Sequence, residues 1–438
     1  MSADSRDLFI RNLAAALLAG PWTSAARSAR ARRACGQGNR WLAGLSKRIG
    51  VVFSAPPSSE VLEGFLHSDK AVARVALEVR EWFWLPAAMT PRGAAAVWDV
   101  PPLCTVGQLA DWLEVSPPRL QWLADWQERT SKQPVEALRH YRYTWFPKRR
   151  GGYRLLEAPK PHLKRVQRQI LHAILDRIPP HESAHGFRAG RSIATYVRPH
   201  AGKEIVLRFD LRDFFSTVRA SRVHTIFRAA GYPVDVARLL TGLCTVRTPS
   251  NVLRARPSTS EATAAERASQ RLRSPHLPQG APTSPALANL AALHFDRRLA
   301  GVASKLGADY TRYADDLAFS GGAELARTGR RLQVLVARVA LEEGFEIHAR
   351  KSRFMRPGVR QQLAGIVLNI RPNVVRADYD ELKAILFNCI RSGPTTQNRE
   401  DHPNFRGHLL GRVSYIAMVN PERGRKLRRL FNRIPWTV

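Results

Sequence analysis

The 438-residue sequence predicts an α+β fold with a helical N-terminal region, and three observations carry that expectation. Apolar residues at helical spacing dominate residues 1–130. From about Tyr141, short alternating apolar runs such as Ile205-Val-Leu-Arg-Phe209 recur between helical stretches. From about Pro372 the pattern is helical again and strongly basic. The expected domains are therefore 1–130, 131–370 and 371–438.

Composition narrows the partners. Lys and Arg number 69 against 36 acids, a formal net charge of +33. That excess points to a polyanion, most simply nucleic acid. No single amphipathic helix collects the charge, so a membrane surface is the weaker partner, and no apolar run is long enough to span a bilayer. Cys35, Cys104, Cys244 and Cys389 have neither zinc nor redox spacing and read as thiols of a reducing cytoplasm. Leu13 to Gly20 follows Arg11 as a short leader would, but Asp4 and Asp7 spoil the charge pattern, and an amphipathic first helix is expected.

In the first region, Arg27, Arg30, Arg32, Arg33, Arg40, Lys47 and Arg48 form a basic run with no acid between Ser24 and Ile49. It reads either as a nucleic-acid contact or as a solvated face. Between Ser59 and Trp84, Leu62, Phe65, Val72, Val75, Ala76 and Val79 fall on one helical face. Thr105 and Ser116 are placed to cap two short helices, with Pro117 in the first turn of the second. Leu109, Trp112, Leu113, Leu120 and Leu123 would then pack a small core.

In the second region, Tyr141 to Pro159 reads as strand, Gly151-Gly152 turn, strand, with Lys148, Arg149, Arg150 and Arg154 beside the turn. A basic helix is expected from Lys160 to Arg177. Ile205, Leu207 and Phe209 make a strand that delivers Asp210 at its end, and Asp213 opens a turn into a helix. Asp210 alone also suits a helix N-cap. Residues 247–275, rich in Ser, Thr, Ala and Arg, read as a surface loop. Leu277-Pro-Gln-Gly280 is a Gly-Pro loop entering a helix. Tyr310 to Ser320 reads as a hairpin with Asp315 and Asp316 at its tip. A helix over Arg327–Glu343 follows. Gly344–His348 and Gln362–Asn369 read as strands flanking a basic connection that contains Lys351. In the last region, Pro421 to Arg433 carries six cations, Arg425 and Arg428 among them, against Glu422 alone.

A lone Asp-Asp is most simply a solvated turn. With Asp210 at a second strand end it becomes a three-carboxylate group. Adjacent carboxylates repel and raise one another's pKa, which a hard dication such as Mg²⁺ relieves. Two such ions align an attacking hydroxyl and a leaving pyrophosphate for in-line transfer.

Phe209-Asp-Leu-Arg-Asp-Phe-Phe215, Leu277-Pro-Gln-Gly-Ala-Pro-Thr-Ser-Pro285 and Tyr313-Ala-Asp-Asp316, in this order, resemble the successive palm motifs of reverse transcriptases. The resemblance runs from about Tyr141 to the C-terminus and implies a right-hand polymerase of fingers, palm (131–370) and basic thumb (371–438). It implies that Asp210 and Asp315 bind two Mg²⁺ ions with Asp316 and the Leu211 carbonyl in support. Lys351 matches the lysine that protonates pyrophosphate. Phe215 matches the gate against a ribose 2′-OH. Gln279, Gly280 and Asp213 fall with the nucleotide pocket, and Lys148 and Arg154 with the basic fingers. Tyr313 and Ala314 would lie under the primer terminus, Gly365 in the primer grip, and Arg425 and Arg428 along the duplex backbone.

His185-Gly-Phe-Arg-Ala-Gly-Arg-Ser192, Arg198-Pro-His200 and Gly407-His-Leu-Leu-Gly-Arg412 are most similar to bacterial retron reverse transcriptases. That likeness implies a structured non-coding RNA of the msr-msd type as partner, dNTPs as substrates, a branched RNA–DNA product, and an effector protein in anti-phage defence. Another bacterial reverse transcriptase, a template-independent polymerase, and a non-catalytic RNA-binding scaffold are the alternatives.

Overall fold

The computed structural model describes residues 3–36, 41–74, 78–83, 88–133, 135–148, 151–257 and 262–436. The chain divides into two compact units, Met1–Ala88 and Met89–Val438.

The first unit is helical: Ala3–Leu18, Ser24–Cys35, Trp41–Val52 and Ser59–Ser68, with a short turn of helix at Lys70–Ala73. Their apolar faces bury Phe9, Ile10, Leu13, Leu17, Leu42, Leu45, Ile49, Leu62 and Leu66 in one core. The helix expected from Ser59 to Trp84 is interrupted at Asp69. That carboxylate caps the N–H groups of Ala71 and Val72 and pairs with Arg48, at 2.8, 3.3 and 2.9 Å. Residues 78–83 are not helical, and Val75, Ala76 and Trp84 lie outside the described residues.

The basic run of this unit is largely structural. Buried Arg27 donates to the carbonyls of Trp22 and Ser46. Arg30 donates to Ala16, Leu17 and Pro21, closing the carbonyl end of the first helix. Arg33 pairs with Glu81 and Arg48 with Asp69. These four arginines make local contacts: Arg27 is buried in doing so, while Arg33 and Arg48 stay exposed beside their acids. Arg40 lies outside the described residues.

In the second unit the expected helix pair forms, Val106–Trp112 and Pro117–Ala124. Thr105 and Gln108 make a reciprocal capping box, and Leu109, Leu113, Leu120 and Leu123 are buried. Strands β1 (Tyr141–Pro147) and β2 (Tyr153–Pro159) form the hairpin, with Gly151 and Gly152 at φ +89° and +73°. Arg149 and Arg150 lie outside the described residues. Helix Pro161–Ala173 follows.

The central sheet contains β3 (Ile205–Asp210), β4 (Asp309–Tyr313), β5 (Asp316–Gly321) and β6 (Arg353–Met355), all antiparallel, in the order β4-β5-β3-β6. Alternation assigns its two faces. Leu207, Phe209, Leu317 and Phe319 enter a core shared with helices Val234–Cys244, Ser284–Ala291, Leu293–Lys305 and Ala323–Glu342. Val206 and Ala318 face a second core with Leu382, Leu386, Leu409, Val413, Leu427 and Phe431 from helices Arg376–Ser392, Phe405–Val419 and Pro421–Asn432.

Three local expectations are corrected. Residues 247–275 contain helices Ser250–Arg254 and Ala262–Leu272. Gly344–His348 contributes a single bridge, Ile347 to Leu211, while β6 arises within the basic connection. Gln362–Asn369 is not one strand but a tight hairpin, β7 (Gln362–Leu363) against β8 (Ile366–Val367). It turns on Ala364 and Gly365, at φ +46° and +87°, as a two-residue primed turn requires.

Candidate active site

The antiparallel register builds the site. Asp210 is paired directly with Asp316, so both side chains leave the same face at the same end of the sheet. Ala314 and Asp315 form the two-residue turn between β4 and β5, closed by the Tyr313–Asp316 pair. Leu211 extends the ladder by one bond, its N–H donating to the Asp315 carbonyl at 2.8 Å. Two strand ends and one turn thus bring Asp210, Asp315 and Asp316 to one end of the sheet.

Each paired acid has a cation at hand. Lys351 Nζ lies 2.8 Å from Asp210 Oδ1. Arg208 places Nε and Nη2 at 2.9 and 2.6 Å from Asp316 Oδ1. Arg208 precedes Asp210 by two positions, so strand alternation puts both on one face. Burial pushes the Asp315 carboxyl up to about 6, with the Asp316 and Asp210 charges adding to the shift. Burial also raises Asp316, against the opposing pull of Arg208.

Among the described residues, no three His, Cys, Asp or Glu side chains already stand in a metal-holding arrangement. Lys351 and Arg208 each occupy a carboxylate oxygen. The donors nonetheless fit a hard dication: carboxylate oxygens only, with Asp315 destabilised as an anion by burial and by two like charges. The bridge between Leu211 and Ile347 uses the Asp210 carbonyl and the Arg212 N–H, so it leaves the Leu211 carbonyl available.

Several other expected residues have defined neighbours. Asp213 has a left-handed backbone, φ +49°, and its carboxylate pairs with Arg271 at 2.8 Å. Arg271 also reaches Glu346 at 2.7 Å, so the helix read as a loop docks beside Asp213. Phe215 is half-buried. Phe187 bridges it to Tyr313, with ring centroids 6.2 and 6.3 Å away. The Gln279 carbonyl accepts the Glu157 N–H at 2.8 Å, tying the Gly-Pro loop to β2. Gly280, at φ +127°, lies so close that a Cβ there would meet Leu156 Cδ1 at 2.9 Å.

Other expected residues stand apart from the carboxylates. Lys148 and Arg154 are exposed on the β1–β2 hairpin and contact none of the three acids. Gly365 occupies the β7–β8 turn. Arg425 is exposed on the last helix, and Arg428 donates to Ser414 at 3.1 Å. Sequence reading missed Arg208, Arg271 and Phe187 as neighbours of the site. Only Arg208 carried a signal, its same-face spacing from Asp210.

Comparison with known proteins gives the family. The family model described as reverse transcriptase (RNA-dependent DNA polymerase) matches residues 146–391, and the chain belongs to that family. The expected retron-type resemblance is also borne out. Over 301 residues, 68% of this chain, it is 41% identical to the retron Mx65 reverse transcriptase of Myxococcus xanthus. It is 36% identical over 331 residues to the retron Mx162 reverse transcriptase of the same organism, matching 72% of this chain. The retron Ec86 reverse transcriptase of Escherichia coli is 28% identical over 63% of this chain and 74% of its own length. The chain spans 65% and 64% of the length of the two Myxococcus relatives.

Proposed function

We propose that the chain is the RNA-directed DNA polymerase of a retron, copying a structured non-coding RNA of the msr-msd type into branched msDNA. The convergence of Asp210, Asp315 and Asp316 at one sheet end is the observation that carries this reading. Two Mg²⁺ ions, held by Asp210 and Asp315 with Asp316 and the Leu211 carbonyl, would supply charge neutralisation for in-line phosphoryl transfer.

The remaining roles are borne by the chain itself. Lys351, 2.8 Å from Asp210, is the proton donor to departing pyrophosphate. Phe215, braced by Phe187, excludes a ribose 2′-OH. Gln279, Gly280 and Asp213 shape the nucleotide pocket, and the exposed Lys148 and Arg154 receive the triphosphate when the hairpin closes. Tyr313 and Ala314 support the primer terminus, and Gly365 its backbone. Arg425 and Arg428 follow the A-form duplex through its phosphates. In this reading 1–130 is an accessory helical region, 131–370 fingers and palm, and 371–438 thumb. The enzyme works in the cytoplasm, in anti-phage defence, with an effector protein as further partner.

The test is Mg²⁺-dependent dNTP incorporation on an RNA template by the wild type and Asp315→Asn. Removing a metal-holding carboxylate is expected to abolish incorporation while the fold is kept. Normal incorporation by the variant would end the two-metal reading. Sequencing nucleic acid that co-purifies with the protein tests the retron assignment, which expects a discrete RNA covalently joined to short DNA.

A further inference from the structure

Beneath the Ala314–Asp315 turn lies a polar cluster with no access to solvent. Arg312 and Asp296 are both 0% exposed. The guanidinium uses four N–H groups. Nε and Nη2 reach the two oxygens of Asp296 at 2.8 and 2.6 Å. Nη1 reaches Asn289 Oδ1 at 2.9 Å and the Ala314 carbonyl at 3.0 Å. Tyr310 donates to Asp296 at 2.8 Å and so fixes the carboxylate.

A buried ion pair is weak grounds for stability, because apolar residues of similar volume often serve as well. What apolar residues cannot do is grip a carbonyl. Ala314 is held at φ +55°, a left-handed conformation that a residue with a Cβ adopts at a cost. The same cluster braces the opposite wall of the turn. Asn289 donates to the Gly186 carbonyl at 2.8 Å. Gly186 presses so close that a Cβ there would lie 2.7 Å from the Ala314 nitrogen.

We propose that Arg312 is a positioning residue: with Asp296 and Asn289 it clamps the Ala314–Asp315 turn so that Asp315 and Asp316 are presented at fixed geometry. A planar fork is required, since it must serve a carboxylate, an amide and a carbonyl at once. A lysine offers a point charge without that fork. This inference rests on the polymerase reading of the site.

Two variants separate positioning from stability. Arg312→Lys keeps the charge opposite Asp296 but loses the fork. The triple variant Arg312→Met, Asp296→Leu, Tyr310→Phe replaces the cluster with apolar groups and leaves no orphaned charge. The triple variant leaves the Asn289 Oδ1 and the Ala314 carbonyl without a donor, so it is expected to melt below the wild type and still fold. In both variants kcat for dNTP incorporation should fall about 10- to 100-fold, the usual effect of losing a group that orients metal ligands. KM for dNTP should stay within about threefold, because the nucleotide pocket is untouched. Mn²⁺ affinity, followed by electron paramagnetic resonance, should weaken in parallel.

Wild-type kcat in either folded variant overturns the proposal. If the triple variant does not fold, Arg312→Lys decides alone. If the wild type itself incorporates nothing, the polymerase reading fails. Mn²⁺ binding then decides the clamp separately, and an unchanged affinity in a folded variant refutes it.

Discussion

His200 offers a quantitative test of how the sheet is held. It ends a short 3₁₀ turn, Arg198–His200, and is completely buried. Nδ1 lies 2.7 Å from Ser320 Oγ on β5, and Nε2 lies 2.7 Å from Thr311 Oγ1 on β4. The Thr311 hydroxyl donates to the Tyr196 carbonyl at 2.9 Å, so its oxygen must accept from Nε2–H. Nε2 therefore carries a proton, and because burial disfavours the charged ring, Nδ1 is left to accept from Ser320. Burial pushes its pKa down to about 3, whereas an unfolded histidine titrates near ~6.5. The sign follows from linkage. Between pH 6.5 and 3 the unfolded chain binds the proton and the folded chain does not, so stability falls as pH falls through that window. At pH 4.5 this is a difference of about one bound proton carried over about 2 pH units, or roughly 2.7 kcal/mol. Urea unfolding of the wild type and His200→Gln at pH 7 and pH 4.5 measures it. The variant lacks the titrating group, so its stability loss between the two pH values should be smaller than the wild type's by about 2–3 kcal/mol. Equal losses in both proteins would refute the neutral, buried assignment.

Three further outcomes are expected. Gly424→Ala would set a Cβ 2.3 Å from the Ala417 Cα; overpacking between the last two helices should destabilise by about 1–3 kcal/mol in thermal melts, despite alanine's better helix propensity. Arg30→Ala removes donors from three carbonyls; it should lower the first unit's stability by about 1–2 kcal/mol without the change of about 1 in RNA-binding salt slope that a lost phosphate contact produces. Gly280→Ala forces a Cβ against Leu156 at φ +127°; steady-state kinetics should show a raised KM for dNTP, since the loop cannot keep its bond to Glu157.

What was legible in the sequence was local. The β4–β5 hairpin followed from alternation on either side of Asp315 and Asp316, Asp210 from the strand that ends on it, and the capping box from Thr105 and Gln108. What was not legible joins distant positions or turns on one residue. Asp69 ends a helix whose apolar periodicity runs on unbroken, because a carboxylate placed to cap N–H groups outweighs weak propensities. The Ala262–Leu272 helix, ATAAERASQRL, is made mostly of good helix formers and follows a Ser- and Thr-rich stretch, and its docking depends on Arg271 meeting Asp213, 58 residues away. Arg208 and Asp316 are 108 positions apart, and only the β3–β5 register brings them together. The basic run of the first unit shows the same limit from the other side. Excess positive charge predicts a polyanion, but it does not say which cations face it. Arg27 and Arg30 serve carbonyls, whereas Lys148, Arg154 and Arg425 are exposed, so in the proposed reading the latter are the ones free to meet RNA phosphates. Charge counted along a sequence measures the attraction available to a partner only after the arginines that close helices and hold acids have been subtracted.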